Sequence, residues 1–161
     1  MPRVLDEFPD YRLKLVGVGP HFSKEEHFPR ALLPRIEVIP FVEDKARLRQ
    51  IYQSISILIV PSVHESFGLV TAEGMACGCA VVAGKTGFAC SLRDGEEAMV
   101  FESGMRGAFY QRIKRLIGDD SLRRQVAQAG HARVQSLRWS SAVERLETVY
   151  QTWLAEFRKG R

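Results

Sequence analysis

Two glutamates, Glu65 and Glu73, lie on either side of a glycine, Gly68, in a stretch that follows an apolar run ending at Val60. A helical pattern begins at Gly68. The first backbone N–H groups of a helix have no partner inside it and carry the positive end of its dipole, so they can bind a phosphate. Glycine lets the phosphate approach the backbone closely. The order carboxylate, phosphate cradle, carboxylate matches a sugar, a diphosphate and a ribose. By themselves, however, two glutamates eight residues apart are usually solvated surface.

Short β-rich runs alternate with helical patterns over the first half of the chain, which is typical of a parallel α/β sheet. Ligands of such sheets bind beyond the carboxyl ends of the strands, where the loop from Pro61 to Glu73 lies. The helix before this loop would turn Ala46 and Tyr52 inward. We predict strands over 12–18, 35–39, 56–60, 79–83 and 98–101, and helices over 43–54 and 68–77.

From Gly104 onward the pattern predicts helices only. Ser141 and Glu144 fit a capping box at the start of the last helix. Its aromatic residues share one apolar stripe, which favours core packing over carbohydrate stacking; they are Trp139, Tyr150 and Trp153. We therefore predict a Rossmann-like open parallel sheet with helices on both faces and a helical C-terminal part, forming one domain over residues 1–161.

Composition excludes several classes of protein. The 161 residues are 45% hydrophobic and 26% charged, which excludes a disordered chain. The three cysteines form no CxxC pair, and no run is long enough to span a bilayer, so we expect a cytoplasmic protein. The net charge of +4 comes largely from C-terminal basic residues interleaved with acidic ones, which indicates a solvated helix face rather than a nucleic-acid surface.

The loop and its flanks resemble the signature of the glycosyltransferase family that contains bacterial glycogen synthase and many lipopolysaccharide and capsule transferases, known as group 1. The matching residues are Ser62, Glu65, Phe67-Gly68-Leu69, Glu73, Met75-Ala76-Cys77-Gly78 and Val81-Val82. The segments Leu15–Pro20 and Arg138-Trp139-Ser140 resemble further family patterns. The resemblance implies the C-terminal half of a GT-B fold, without the N-terminal acceptor domain. The family's first strand and helix, with their two phosphate-binding cations, have no room before Tyr11.

The resemblance also implies roles for residues. Glu65 would bind the donor sugar's hydroxyls and is the predicted catalytic residue, while Glu73 would bind the ribose. The distal phosphate would lie on the backbone of Ser66, Phe67, Gly68 and Leu69.

The base would rest on two further segments, whose members are Gly17, Gly19, Ile39, Pro40 and Phe41. Their contacts are largely made by backbone, which leaves uracil, guanine and adenine open. Lys85 follows the fourth strand and could reach a phosphate, although a solvated lysine is the favoured interpretation.

The implied reaction is retaining and metal-independent, with a nucleoside-diphosphate sugar as substrate and no cofactor. The acceptor would be a glycan, a lipid or a small molecule, as in polysaccharide biosynthesis, and a lipid acceptor would bring the full-length protein to the membrane. We expect the isolated chain to bind a donor without turning it over, because a half-cleft cannot exclude water from a reacting sugar. A homodimer could cover the exposed part of the last helix.

Two other interpretations are open. A non-catalytic nucleotide-binding or regulatory module would share the fold, but the intact Glu65, Phe67-Gly68 and Glu73 argue against a degenerate site. Half of a nucleotide-sugar epimerase would share the architecture, and the loop 61–78 disfavours it.

Outside the site, Gly74 stands inside a predicted helix, where glycine is less favourable than alanine by roughly 1 kcal/mol of helix stability. Asp94, Glu96 and Glu97 are predicted to be loop surface.

Overall fold

A computed structural model describes residues 1–102 and 105–159. It contains five strands, which are β1 (Leu13–Val18), β2 (Ile36–Pro40), β3 (Ile57–Val60), β4 (Ala80–Gly84) and β5 (Met99–Phe101). Its helices are α1 (Pro2–Glu7), α2 (Lys24–His27), α3 (Lys45–Gln53), α4 (Leu69–Ala76), α5 (Arg106–Gly118), α6 (Asp120–Val134) and α7 (Trp139–Lys159). Two 3₁₀ segments cover Arg30–Arg35 and Gly87–Ser91. The predicted alternation of strands and helices with a helical C-terminal part is confirmed. The predicted helical start at Gly104 falls outside the described residues.

The strands form two parallel sheets rather than one. β1 pairs with β2, with Leu15 opposite Val38, and β3–β4–β5 form the other sheet, with Val82 between Ile59 and Met99. A doubly wound sheet in the order 3-2-1-4-5-6 has two strands on one side of strand 1 and three on the other. The observed pair and triplet match the strands on the two sides of strand 1 in this order.

The core surrounds β4, whose five residues are all buried. Its alternate side chains face two apolar clusters, one with Met75 of α4 and the other with Ile113 and Leu116 of α5. Helices therefore cover both faces of the β3–β5 sheet, as predicted. Gly74 lets α4 approach this sheet, because a Cβ there would overlap the side chain of Leu58 in β3.

A short helix, α1, precedes β1 in a stretch for which the sequence pattern predicted neither helix nor strand. Val4 packs in the cluster on the β3–β5 sheet, and Leu5 packs in a third cluster on β1–β2. The Arg35 guanidinium holds the end of this helix by donating to the carbonyl oxygens of Leu5 at 2.6 Å, Pro9 at 2.8 Å and Phe8 at 3.2 Å. Six residues are too few to show a helical period, so the sequence pattern did not indicate this helix.

Two acidic residues predicted as loop surface have structural roles. Glu97 is buried and accepts from the backbone N–H of Arg93 at 2.9 Å, and its carboxylate pairs with the Arg93 guanidinium at 3.1 Å. Asp94 accepts from the backbone N–H of Val100 at 2.9 Å. Both carboxylates therefore fix the turn into β5. Composition alone does not reveal such pairing, because loop carboxylates are usually solvated.

The last helix departs from its prediction in two ways. It begins at Trp139, so Ser141 lies inside it rather than at its N-terminus. Its apolar stripe is not in the core, since Trp139 is 88% exposed, Tyr150 53% and Trp153 60%. Amphipathic spacing identifies an apolar face without showing what covers it.

Ala46 of α3, which was predicted to point inward, is also exposed. Within residues 1–102 and 105–159, no helix has both the length and the apolar character needed to cross a membrane.

Candidate functional site

The N-terminus of α4 presents unpaired backbone amides. Gly68 is its N-cap in the left-handed conformation, with φ 90° and ψ 51°, and its carbonyl accepts from Thr71 N–H at 3.1 Å. No side chain caps this end. Among the described residues, none accepts a backbone hydrogen bond from the N–H groups of Gly68, Leu69 or Val70. Three donors at the positive end of a helix dipole form an anion-binding arrangement.

The loop before α4 is held by the 3₁₀ segment that follows β4. Phe88 N–H donates to the Phe67 carbonyl at 2.5 Å, and the two rings stack with centroids 5.6 Å apart. Gly87 has φ 53°, and a Cβ on it would lie 2.5 Å from the Phe67 oxygen and 3.1 Å from Glu65 Cβ. The Arg133 guanidinium lies over the Phe88 ring at 5.6 Å. These contacts fix the backbone that leads into the free amides.

Glu73 lies one turn into α4 with an exposed side chain. The hydroxyl of Tyr52, at the end of α3, donates to Glu73 Oε2 at 3.1 Å. Burial of the phenol and the neighbouring Glu73 charge raise the pKa of Tyr52, so the phenol is protonated at neutral pH. The bond occupies Oε2 of the carboxylate and leaves Oε1 without a hydrogen bond from this donor.

Glu65 is half-buried beside Gly87, and no hydrogen bond or ion pair to it occurs within the described parts of the chain. The neighbouring Ser66 and Leu69 are exposed, while Gly68 is buried. The structure therefore places Glu65, Gly68 and the free amides at the N-terminus of α4, with Glu73 one turn into the helix. Their roles toward a sugar, a diphosphate and a ribose stay predictions.

The residues predicted to border the base lie at the carboxyl ends of β1 and β2, on the other sheet. Gly17 has φ 75° and interrupts the strand pairing, after which Val18 lies opposite Pro40. Phe41 is 76% exposed, whereas Ile39 is buried. Gly19 is exposed. The strand pairing thus places the two predicted segments side by side.

Lys85 does not stand free at the site. Its ammonium pairs with Glu102 Oε1 at 2.8 Å, and this hydrogen bond raises the pKa of Lys85. The amine keeps its charge but is held by a surface carboxylate, which agrees with the favoured interpretation as a solvated lysine. In the described ranges, no three His, Cys, Asp or Glu side chains lie close enough together to hold a metal ion.

Sequence reasoning missed two features of the site. Tyr52 was predicted as an inward-facing residue, yet its phenol reaches Glu73. The general rule that a buried tyrosine hydroxyl needs a partner was the available signal. The close approach of Gly87 to Phe67 could not be seen without the fold.

Comparison with known proteins places these features in a family. A family model described as "Glycosyl transferases group 1" matches residues 1–119. D-inositol 3-phosphate glycosyltransferase of Acidothermus cellulolyticus is 35% identical over 158 residues, which are 92% of this chain and 34% of that protein.

Two solved structures share the fold. Sucrose-phosphate synthase from Thermosynechococcus elongatus superimposes with a TM-score of 0.78 at 26% identity, covering 96% of this chain and 41% of that one. Anabaena HepE in complex with UDP-glucose gives a TM-score of 0.71 at 25% identity, covering 91% and 42%. This chain spans only 34% of the first curated relative it matches.

Proposed function

The chain belongs to the group 1 glycosyltransferases, and we propose that it is the donor-binding half of a retaining, metal-independent enzyme that uses a nucleoside-diphosphate sugar. The observation that carries the proposal is the N-terminus of α4. There, the free amides of Gly68, Leu69 and Val70 lie one turn before the exposed carboxylate of Glu73. A diphosphate and a ribose require donors and an acceptor in this order.

Each part of the donor would meet a matching group. The distal phosphate accepts hydrogen bonds from the free amides, whose dipole stabilises the negative charge that grows as the diphosphate leaves. Glu73 accepts hydrogen bonds from the ribose hydroxyls. Glu65, half-buried and without a partner in the described chain, accepts from the hydroxyls of the transferred sugar.

Uridine is the first base to test, because the HepE structure that shares this fold holds UDP-glucose. The base would rest on the segments around Gly17 and Phe41. Phe41 offers an exposed ring on which a base could stack.

The acceptor would be bound by a second domain in the full-length protein. The apolar face of α7 supports this, since an exposed stripe of this size calls for a partner surface. Its exposed members are Trp139, Val143, Leu146, Val149, Tyr150, Trp153 and Leu154. A second copy of the chain could cover the same face. Sedimentation velocity distinguishes the two partners. A second copy would make the isolated chain sediment as a homodimer, whereas a second domain as the partner would leave the isolated chain monomeric.

Calorimetric titration tests the donor site. We expect the chain to bind one of UDP, GDP and ADP, or its glucose conjugate, with micromolar-to-millimolar affinity and equally well in the presence of EDTA. Glu73→Ala should weaken binding by about tenfold or more, as expected for lost hydrogen bonds to a charged group. Glu147→Ala, on the exposed surface of α7, is the control. The proposal fails if no nucleotide binds or if both variants bind like the parent chain.

A further inference from the structure

Tyr52 is fixed by the core at one end and reaches the candidate site at the other. Its side chain is 8% exposed and belongs to the cluster that contains Val60, Met75 and Cys79. The Cys79 thiol donates to the Tyr52 carbonyl at 3.2 Å, so the backbone is held as well. The phenol therefore has little freedom to move away from Glu73.

The exposed carboxylate of Glu73 would otherwise be mobile. A glutamate on a helix surface loses side-chain entropy when a ligand holds it, and this weakens ligand binding. The 3.1 Å hydrogen bond from Tyr52 to Oε2 restricts the side chain before any ligand arrives. Since a carboxylate oxygen accepts more than one hydrogen bond, Oε1 and the remaining lone pair of Oε2 stay available to a diol.

We infer that Tyr52 is a positioning residue that orients Glu73 toward the two hydroxyls of the donor ribose. The inference rests on the proposed function, because it assigns Tyr52 to the same nucleotide site. Its consequence is selectivity: the bond favours ligands with a complete ribose diol over those that lack one hydroxyl.

Tyr52→Phe removes the hydroxyl and keeps the ring. We would titrate the chain and its variants with UDP and with 2′-deoxy-UDP, or with the corresponding pair for whichever base binds. The parent chain should prefer the ribonucleotide by about tenfold, the usual effect of one hydrogen bond to a charged group. Tyr52→Phe should weaken ribonucleotide binding severalfold and leave deoxyribonucleotide binding nearly unchanged, so the preference shrinks.

Tyr110→Phe is a matched control. Tyr110 is also 8% exposed, and its hydroxyl also donates to a carboxylate, that of Glu7, but this pair joins α5 to α1 away from the site. We expect the control to leave both affinities unchanged. A general loosening of the fold by a lost phenol–carboxylate bond would instead lower both affinities in parallel.

A fluorinated tyrosine at position 52 keeps the fold should Tyr52→Phe not fold. Because the site raises the pKa of this phenol, the variant carries four ring fluorines, which lower the pKa most. Once the phenol has lost its proton it cannot donate to Glu73, so the ribose preference should fall as pH rises through that pKa, which the absorbance of the phenolate reports. The inference is overturned if Tyr52→Phe lowers both affinities equally or neither, or if the fluorinated variant keeps a constant preference. In those cases Glu73→Ala still abolishes the preference, and the proposed function stands. If the parent chain binds no nucleotide, the inference about Tyr52 and the proposed function are both contradicted.

Discussion

The two sheets are built from similar apolar strands but bury them differently. All five residues of β4 are buried, whereas Val16 in β1 is 41% exposed. Within residues 1–102 and 105–159, β4 has a strand on each side and helices over both faces, while β1 pairs only with β2. The strand sequence therefore does not determine the burial of its side chains by itself. Burial depends on how many strands and helices pack against the strand.

This difference divides the candidate site. The end that would hold the diphosphate and the ribose lies on the well-packed β3–β5 sheet and is braced by Phe88 and Tyr52. The end that would hold the base lies on the two-stranded sheet. Regions with few buried contacts open at lower free energy. We therefore expect a fixed phosphate end and a more mobile base end.

Replacing a valine in each sheet should give the largest difference between the sheets in the free energy of unfolding. Val82→Ala should lower the free energy of unfolding by about 2–3 kcal/mol, because it removes two buried methyl groups and leaves a cavity. Val16→Ala, at a site that is 41% exposed, should cost less than about 1 kcal/mol. Urea denaturation measures both. Equal losses would show that the two sheets are equally well packed.

Two glycines with positive φ test how the site loop is held. Gly87→Ala should destabilise the chain by about 2 kcal/mol, since it adds a clash with the Phe67 carbonyl to the cost of the left-handed backbone. It should also weaken nucleotide binding, because the displaced loop carries the amides of the site. Urea denaturation and calorimetry measure the two effects.

Gly95→Ala is the control for this prediction. Gly95 has φ 79° and nothing within 4 Å of a Cβ, so the alanine meets the backbone cost alone, about 1 kcal/mol. Nucleotide affinity should not change. If the two variants behave alike, the 3₁₀ segment does not brace the loop.

The parallel α/β fold could be predicted from the sequence because its strands and helices are continuous and periodic. The run 57–60 and the helix with Met75 were located within one or two residues. The glutamates of the loop could also be found, since the helix start and the spacing of Glu65 and Glu73 are local properties. Their roles remain predictions.

What the sequence could not predict depends on contacts between distant segments. Tyr52 meets Glu73 across 21 positions, and Gly87 meets Phe67 across 20. The buried carboxylate of Glu97 pairs at 4.0 Å with Arg133 of α6, across 36 positions. Gly74 looked unfavourable in a helix until the packing of α4 on Leu58 supplied the reason. Periodicity identifies an element but not its neighbours.

Removing the Arg35 side chain should loosen the two-stranded sheet alone. The guanidinium joins the end of α1 and the residues after it to the start of β2 through four carbonyls, so Arg35→Ala should cost about 1–2 kcal/mol. Hydrogen exchange should accelerate in β1 and β2 and stay unchanged in β4. Arg30→Ala, at an exposed arginine of the same 3₁₀ segment, is the control. Faster exchange throughout the chain would mean that the sheets open together.

Thiol labelling tests one side of this contrast, the rigidity of the β3–β5 sheet, with the smallest perturbation. Burial raises the pKa of Cys79 to about 12, so at pH 8 only roughly one thiol in 10⁴ would be ionised even if reagent could reach it. Cys90 is exposed, and burial raises the pKa of the half-buried Cys77. Iodoacetamide should therefore modify Cys90 first, Cys77 more slowly, and Cys79 only when the β3–β5 sheet unfolds, as peptide mass spectrometry over time would record. Because Cys79 immediately precedes β4, its labelling rate reports the opening of that sheet, and a rate close to that of Cys90 would contradict a rigid phosphate end.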